Sequence, residues 1–179
     1  QAAPSMRGFE LPGARDRRRI KELQERIHHL DKAHHHSQLG DIYLQQGKLD
    51  KAEACYRAAL ERDSDDLDTL AHYGQCLLKQ NRTAEALPIL EKACAQDADH
   101  DYGYSMMALA ETYGALGRTE EAIRAWRQVL STHTYARARV QLAKLYLATG
   151  QPEPARAEVQ EVIADDPHAP TFQRKRDAV

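Results

Sequence analysis

The chain has 179 residues, 42% of them hydrophobic and 29% charged, with a formal net charge of −2. That apolar share supplies a real core and excludes a disordered tail. Aromatics make up only 6%, and Ala and Leu are the commonest core letters, so the balance points to helices packed closely on small side chains.

Residues 1–13 hold Pro4, Gly8, Pro12 and Gly13 and are expected to form an extended arm. Residues 14–32 contain "RRRIKELQERIHHL", in which Ile20, Leu23, Ile27 and Leu30 recur at spacings of 3, 4 and 3. That spacing makes one apolar stripe on a helix. We expect it to cap the helical array that follows, in preference to a coiled-coil or dimer contact.

From Ala33 onward one pattern recurs four times, starting at Ala33, Leu67, Gly103 and Ala136 with steps of 34, 36 and 33. A step of about 34 residues marks a helix-turn-helix solenoid. The eighth place holds Gly40, Gly74, Ala110 and Ala143, and the twentieth Ala52, Ala86, Ala122 and Ala155. These small residues let two antiparallel helices approach. Bulk fills the eleventh place with Tyr43, Leu77, Tyr113 and Tyr146, and the twenty-fourth with Tyr56, Leu90, Trp126 and Val159, which marks both as core positions. The fifteenth holds Gly47, Asn81, Gly117 and Gly150, the residues best suited to a left-handed helix end. Thr83 and Thr119 are placed to cap the second helices. Pro152 suits a first helical turn, whereas Pro88 falls inside its helix and costs a hydrogen bond.

These columns resemble the tetratricopeptide repeat family, over residues 33 to about 168. The resemblance implies an all-α, right-handed α-solenoid of four helical hairpins (33–66, 67–102, 103–135, 136–168), with an N-terminal capping helix. A partial C-terminal helix or tail over 169–179 completes the expected layout. Departures are His36 and Arg139 at the bulky fourth place, Val129 and Val162 in place of a late Ala, and a closing proline only at Pro167. Two extra residues are expected in the "DADHDY" turn before Gly103.

The family lines a concave groove with the first helix of each pair. Carried onto this chain, the partner-binding residues become Asp41, Leu44, Gln75, Leu78, Lys79, Tyr104, Met107, Glu111, Arg137, Val140 and Lys144. They offer apolar grips, with Lys79, Arg137 and Lys144 facing Asp41 and Glu111. Some relatives hold a chaperone's terminal carboxylate in a basic clamp. The matching places here are Ser37, Asp41, His72, Tyr104 and Ala108, and Asp41 would repel such a ligand.

Other chemistry finds no footing. His28, His29, His34, His35 and His36 crowd into nine residues, but consecutive helical side chains diverge by about 100° and do not converge on one ion. The carboxylates of Asp97, Asp99 and Asp101 lack the central glycine and closing glutamate of a calcium loop. Cys55, Cys76 and Cys94 match no zinc or redox spacing, and read as free thiols of a reducing, cytoplasmic compartment. No phosphate loop, nucleophile elbow or zinc-protease helix is present, so the expectation is a non-catalytic adaptor without cofactor or metal.

That adaptor is expected to bind a protein or peptide in its groove, as a monomer rather than an assembly. The alternative is a membrane-tethered or self-assembling scaffold. Residues 1–32 carry 8 basic against 5 acidic side chains, enough to approach anionic lipid. No span of roughly 18 apolar residues occurs. The chain opens on Gln1, which leaves a signal or tether upstream as a further expectation of that alternative. Nucleic acid is disfavoured, because the basic run has no aromatics for base stacking.

Overall fold

The computed structural model describes residues 13–165, and the sequence expectations for the arm and for the C-terminal tail, including Pro167, lie outside them. Among the described residues the elements are nine α-helices and one 3-10 turn. They divide into two compact units at Gln80 and Asn81.

The first unit contains α1 (Ala14–His29), α2 (Ala33–Gln45), α3 (Leu49–Arg62) and α4 (Leu67–Lys79). Helix α1 packs on α2, α2 on α3, α3 on α4, and α2 also reaches α4. The stripe of α1 is turned to its own chain: Leu23 is completely buried, Ile20 and Ile27 are half-buried, and only Leu30 is largely exposed. Tyr56, Ala52 and Ala59 of α3 and Leu77, Cys76 and Ala71 of α4 are fully buried, so the small and bulky columns do meet in one core.

The second unit contains α5 (Thr83–Gln96), the 3-10 turn His100–Gly103, α6 (Tyr104–Ala115), α7 (Thr119–Leu130), α8 (Ala136–Ala148) and α9 (Pro152–Asp165). Consecutive helices pack pairwise from α5 through α9. Leu90, Ala110, Ala122, Trp126, Val129, Leu142 and Ala155 form its buried interior.

The fifteenth-place residues behave as their chemistry requires. Gly47, Asn81, Gly117 and Gly150 take φ of 73°, 59°, 74° and 72°, the left-handed conformation that glycine and then asparagine tolerate best. At three of these turns the same pair of hydrogen bonds closes the helix end. Lys48 N donates to Tyr43 O and Gly47 N to Leu44 O; Arg118 to Tyr113 and Gly117 to Gly114; Gln151 to Tyr146 and Gly150 to Leu147. Orphan carbonyls of the last turn are thereby satisfied.

Two details depart from the sequence expectation, and one turn expected to hold extra residues does so under strain. Thr83 and Thr119 do not cap: each is the first helical residue, and the cap positions belong to Arg82 and Arg118, which make no side-chain cap bond. Instead each arginine turns its guanidinium onto the glutamate three residues on. Arg82 grips Glu85 at 3.2 and 2.5 Å, and Arg118 grips Glu121 at 2.7 and 2.7 Å. That pairing holds a negative charge at the positive end of the helix. Val159 does not fill a core either. It is 44% exposed, because α9 is the last helix among the described residues and none of them packs beyond it. The inserted residues before Gly103 form a strained turn, in which Asp101 and Tyr102 hold φ of 53° and 55°.

The fourth-place departures are filled by ionic contacts. Arg139 reaches Glu158 at 2.9 Å, which pins α8 to α9. His36 Nε2 lies 2.5 Å from Asp31 Oδ1, and Asp31 also accepts Arg62 Nε and Nη2 at 2.5 and 2.6 Å. One carboxylate thus ties the α1–α2 turn to the end of α3. The Arg62 and His36 hydrogen bonds hold the Asp31 carboxyl well below its ordinary value of 3.8. A depressed carboxyl contributes stability above its unfolded value and loses it as pH falls. We therefore expect the melting temperature to decline below about pH 4, and Asp31→Asn to flatten part of that decline while lowering the plateau at pH 7. Circular dichroism melts from pH 7 to 2.5 provide the check, and an unchanged acid slope in the variant would remove Asp31 from the account.

Candidate functional site

Two thiols and two phenols among the described residues are held away from their reactive, deprotonated forms. Burial pushes the Cys55 and Cys94 thiols up to about 11, so they stay protonated and unreactive at neutral pH. All three cysteines are free. Burial and the Asp41 carboxylate push the Tyr56 phenol far up, and burial with the Glu91 hydrogen bond moves that of Tyr113 to about 12. Both are structural hydroxyls: Tyr56 donates to Asp41 at 2.7 Å and Tyr113 to Glu91 at 2.9 Å.

The histidines are spent locally. His35 Nδ1 lies 3.0 Å from Leu30 O, His36 contacts Asp31, and His28 and His29 meet edge to face at 5.3 Å. Among the described residues no group of three or more His, Cys, Asp or Glu is placed to hold a metal ion.

In the first unit, α2 and α4 bring several groove positions together. Asp41, Leu44 and Gln45 from α2, with His72, Gln75 and Lys79 from α4, line one open cavity of about 270 Å³. Its acidic corner is already in contact with its own chain, since Asp41 Oδ1 lies 2.8 Å from His72 Nδ1 and accepts the Tyr56 hydroxyl. Lys79 is exposed, while Leu44, Gln75 and Leu78 are half-buried. The cavity therefore offers an apolar side, two amides and one cation.

In the second unit Tyr104 is 50% exposed and Val140 38%. Lys144 is exposed, and Arg137 pairs with Glu111 in a contact that the first helices of two repeats share. Met107 is corrected: at 4% exposure its thioether is already covered by its own chain, and it offers no surface to a partner. Leu147, at the twelfth place of the fourth repeat, is 60% exposed. Two further features went unread in the sequence. His72 is the partner of Asp41, and the aromatics of the turns "HDYGY" and "THTY" stack on one another. Their common place between repeats was the available signal.

Two sequence profiles described as Tetratricopeptide repeat match residues 37–101 and 114–176. The chain belongs to the tetratricopeptide repeat family. Solved tetratricopeptide structures agree in fold. A double mutant of MamA RS-1 superposes with a TM-score of 0.77 at 17% identity, covering 94% of this chain and 90% of that one. YrrB, described as a TPR protein with an unusual peptide-binding site, gives 0.75 at 16% identity, covering 91% and 84%. At such identities the likeness establishes the fold alone, an all-α solenoid of tetratricopeptide hairpins.

Among curated proteins, Cellulose synthase operon protein C of Komagataeibacter xylinus is 34% identical over 125 residues, which is 68% of this chain and 9% of the relative. Cellulose synthase 1 operon protein C of the same organism is 28% identical over 159 residues, 77% of this chain and 11% of the relative. The chain thus spans about a tenth of the length of the curated relatives it matches. Tetratricopeptide repeats are protein-interaction modules, and at that level alone the family describes this chain. No helix among the described residues is long and apolar enough to cross a membrane.

Proposed function

We propose that this tetratricopeptide chain is a non-catalytic adaptor that docks a peptide segment or partner helix against first helices of its repeats. The observation that carries the reading is the first-unit cavity. Asp41, Leu44, Gln75 and Lys79, carried over from the family pattern, line it together. A preformed recess of this kind costs little ordering on binding, so apolar anchors supply affinity while Lys79 sets register. The fold likeness to YrrB, itself described as having a peptide-binding site, supports the same reading.

The test is a peptide selected on the intact chain from a random library and titrated by amide NMR. Shifts are expected at Leu44, Gln75 and Lys79. Lys79→Glu combined with Lys144→Glu should weaken binding by roughly tenfold or more at an unchanged melting temperature, since both lysines are exposed. Unaltered affinity in the double variant would move the interface to another face.

The alternative, a membrane-tethered or self-assembling scaffold working through the N-terminal helix, loses its main apolar contact, because Leu23 is spent inside the first unit. What is left to it is Leu30, 53% exposed, and the basic residues of α1.

A further inference from the structure

The two inter-repeat turns of the second unit each contribute aromatics to one stack. His133 and Tyr135 lie 4.9 Å apart at 8°, and Tyr135 and Tyr104 lie 5.7 Å apart at 24°. The Tyr135 hydroxyl donates to Tyr102 O at 2.8 Å, which holds the strained left-handed turn against the stack. In that conformation Tyr102 stands 73% exposed, and Tyr104, two residues on, is 50% exposed. A large ring exposed by a disfavoured backbone, as Tyr102 is, calls for a ligand more than for a core.

The rim of this surface is acidic. Asp99 Oδ1 lies 2.6 Å from His133 Nε2, Asp101 is exposed, and both carboxylates, after burial and Tyr104, push the Tyr135 phenol up. Neither turn, 97–103 or 131–135, contains a lysine or arginine. The nearest guanidinium along the chain, Arg137, is engaged by Glu111. A flat π face edged by carboxylates suits a planar cation, because a guanidinium stacks on the ring and donates to the acid in the same plane. The same unit already uses this chemistry internally, with Arg118 Cζ 5.1 Å from the Tyr113 ring centre.

We propose that Tyr102, Tyr104 and Tyr135, with Asp99 and Asp101, form a shelf that takes an arginine side chain of a protein partner. This deepens the adaptor reading and rests on it for the partner. A lysine would gain the charge without the stacking plane, and an acidic residue would be repelled.

The probe is the capped peptide Ac-Gly-Arg-Leu-Arg-Gly-amide, with lysine and citrulline versions, titrated into the intact chain by amide NMR. Saturable shifts are expected at residues 99–104 and 133–137. The arginine peptide should bind about threefold tighter than the lysine one, and tighter still than the uncharged citrulline one. Tyr104→Leu and Asp101→Asn should each weaken it about threefold without moving the melting temperature, as both side chains are exposed. Equal binding of citrulline, shifts spread over every acidic surface, or no shifts at all would each overturn the shelf. A library peptide without arginine that moves Leu44, Gln75 and Lys79 but leaves 99–104 silent would keep the groove and discard the shelf. The opposite pattern would keep the shelf and discard the groove.

Discussion

Trp126→Ala is expected to cost about 3–5 kcal/mol, a large share of the roughly 5–15 kcal/mol that holds a domain folded. Trp126 is the single tryptophan of the chain and is 2% exposed near the middle of α7. Helix α7 packs on both α6 and α8, so truncation opens a cavity that two neighbouring helices would have to collapse to fill. Val129 and Ala122 on the same helix are themselves buried and have no longer rotamer to reach into the gap. Urea unfolding followed by circular dichroism measures the loss, and fluorescence is unsuitable because the variant removes its probe. The internal control is Val159→Ala. Val159 occupies the same repeat place but is 44% exposed, and its truncation should stay within about 0.5 kcal/mol. Similar losses at the two sites would mean that repeat place, and not burial, governs stability.

That contrast also marks where sequence stops being informative. The small and bulky columns were legible because each answers a local geometric need: Ala52, Ala86, Ala122 and Ala155 are all buried within their own hairpins, and Asn81 takes the left-handed backbone of its glycine counterparts. Val159 obeys the same pattern in letters, yet burial depends on a neighbour, which no column encodes. Met107 misled for the related reason that the family pattern assigns a face while packing decides exposure. The threonine caps failed because Arg82 and Arg118 find glutamates one turn on, a long-side-chain choice outside simple capping preference. Of the candidate site, Asp41, Leu44, Gln75 and Lys79 were implied by the family resemblance, and they line one recess together. The Asp41–His72 contact and the Tyr104–Tyr135 stack could not, since each joins residues a whole repeat apart through side-chain rotamers.

Gly40→Leu should be the most damaging single change in the first unit, and Gly40→Ala the more instructive one. A methyl group placed on Gly40 would sit 2.7 Å from Tyr56 Cε1 and 2.9 Å from Cδ1, inside the van der Waals limit. The ring has no room to retreat: Tyr56 is completely buried, and its hydroxyl is fixed to Asp41 at 2.7 Å. Alanine gains about 1 kcal/mol of helix propensity over glycine, but overpacking a tight contact costs about 1–3 kcal/mol, so the net is a loss. Leucine adds three more carbons with no added propensity, and a loss of about 3 kcal/mol or more follows. If the clash with the ring is the cause, Tyr56→Leu in the Gly40→Ala background should recover part of the deficit as a positive coupling. Gly47→Ala separates packing from backbone, because nothing lies within 4 Å of that position while its φ is +73°; its cost of about 1–2 kcal/mol comes from the left-handed backbone alone and should show no coupling to Tyr56. The consequence reaches the cavity as well. Displacing Tyr56 draws on Asp41, and Asp41 lines the recess with His72 and Lys79, so Gly40→Ala should shift the Leu44 and Gln75 amides and weaken a groove-bound peptide although Gly40 itself is buried. A variant that binds normally while losing stability would show that the recess is held by α4 independently of the close approach between α2 and α3.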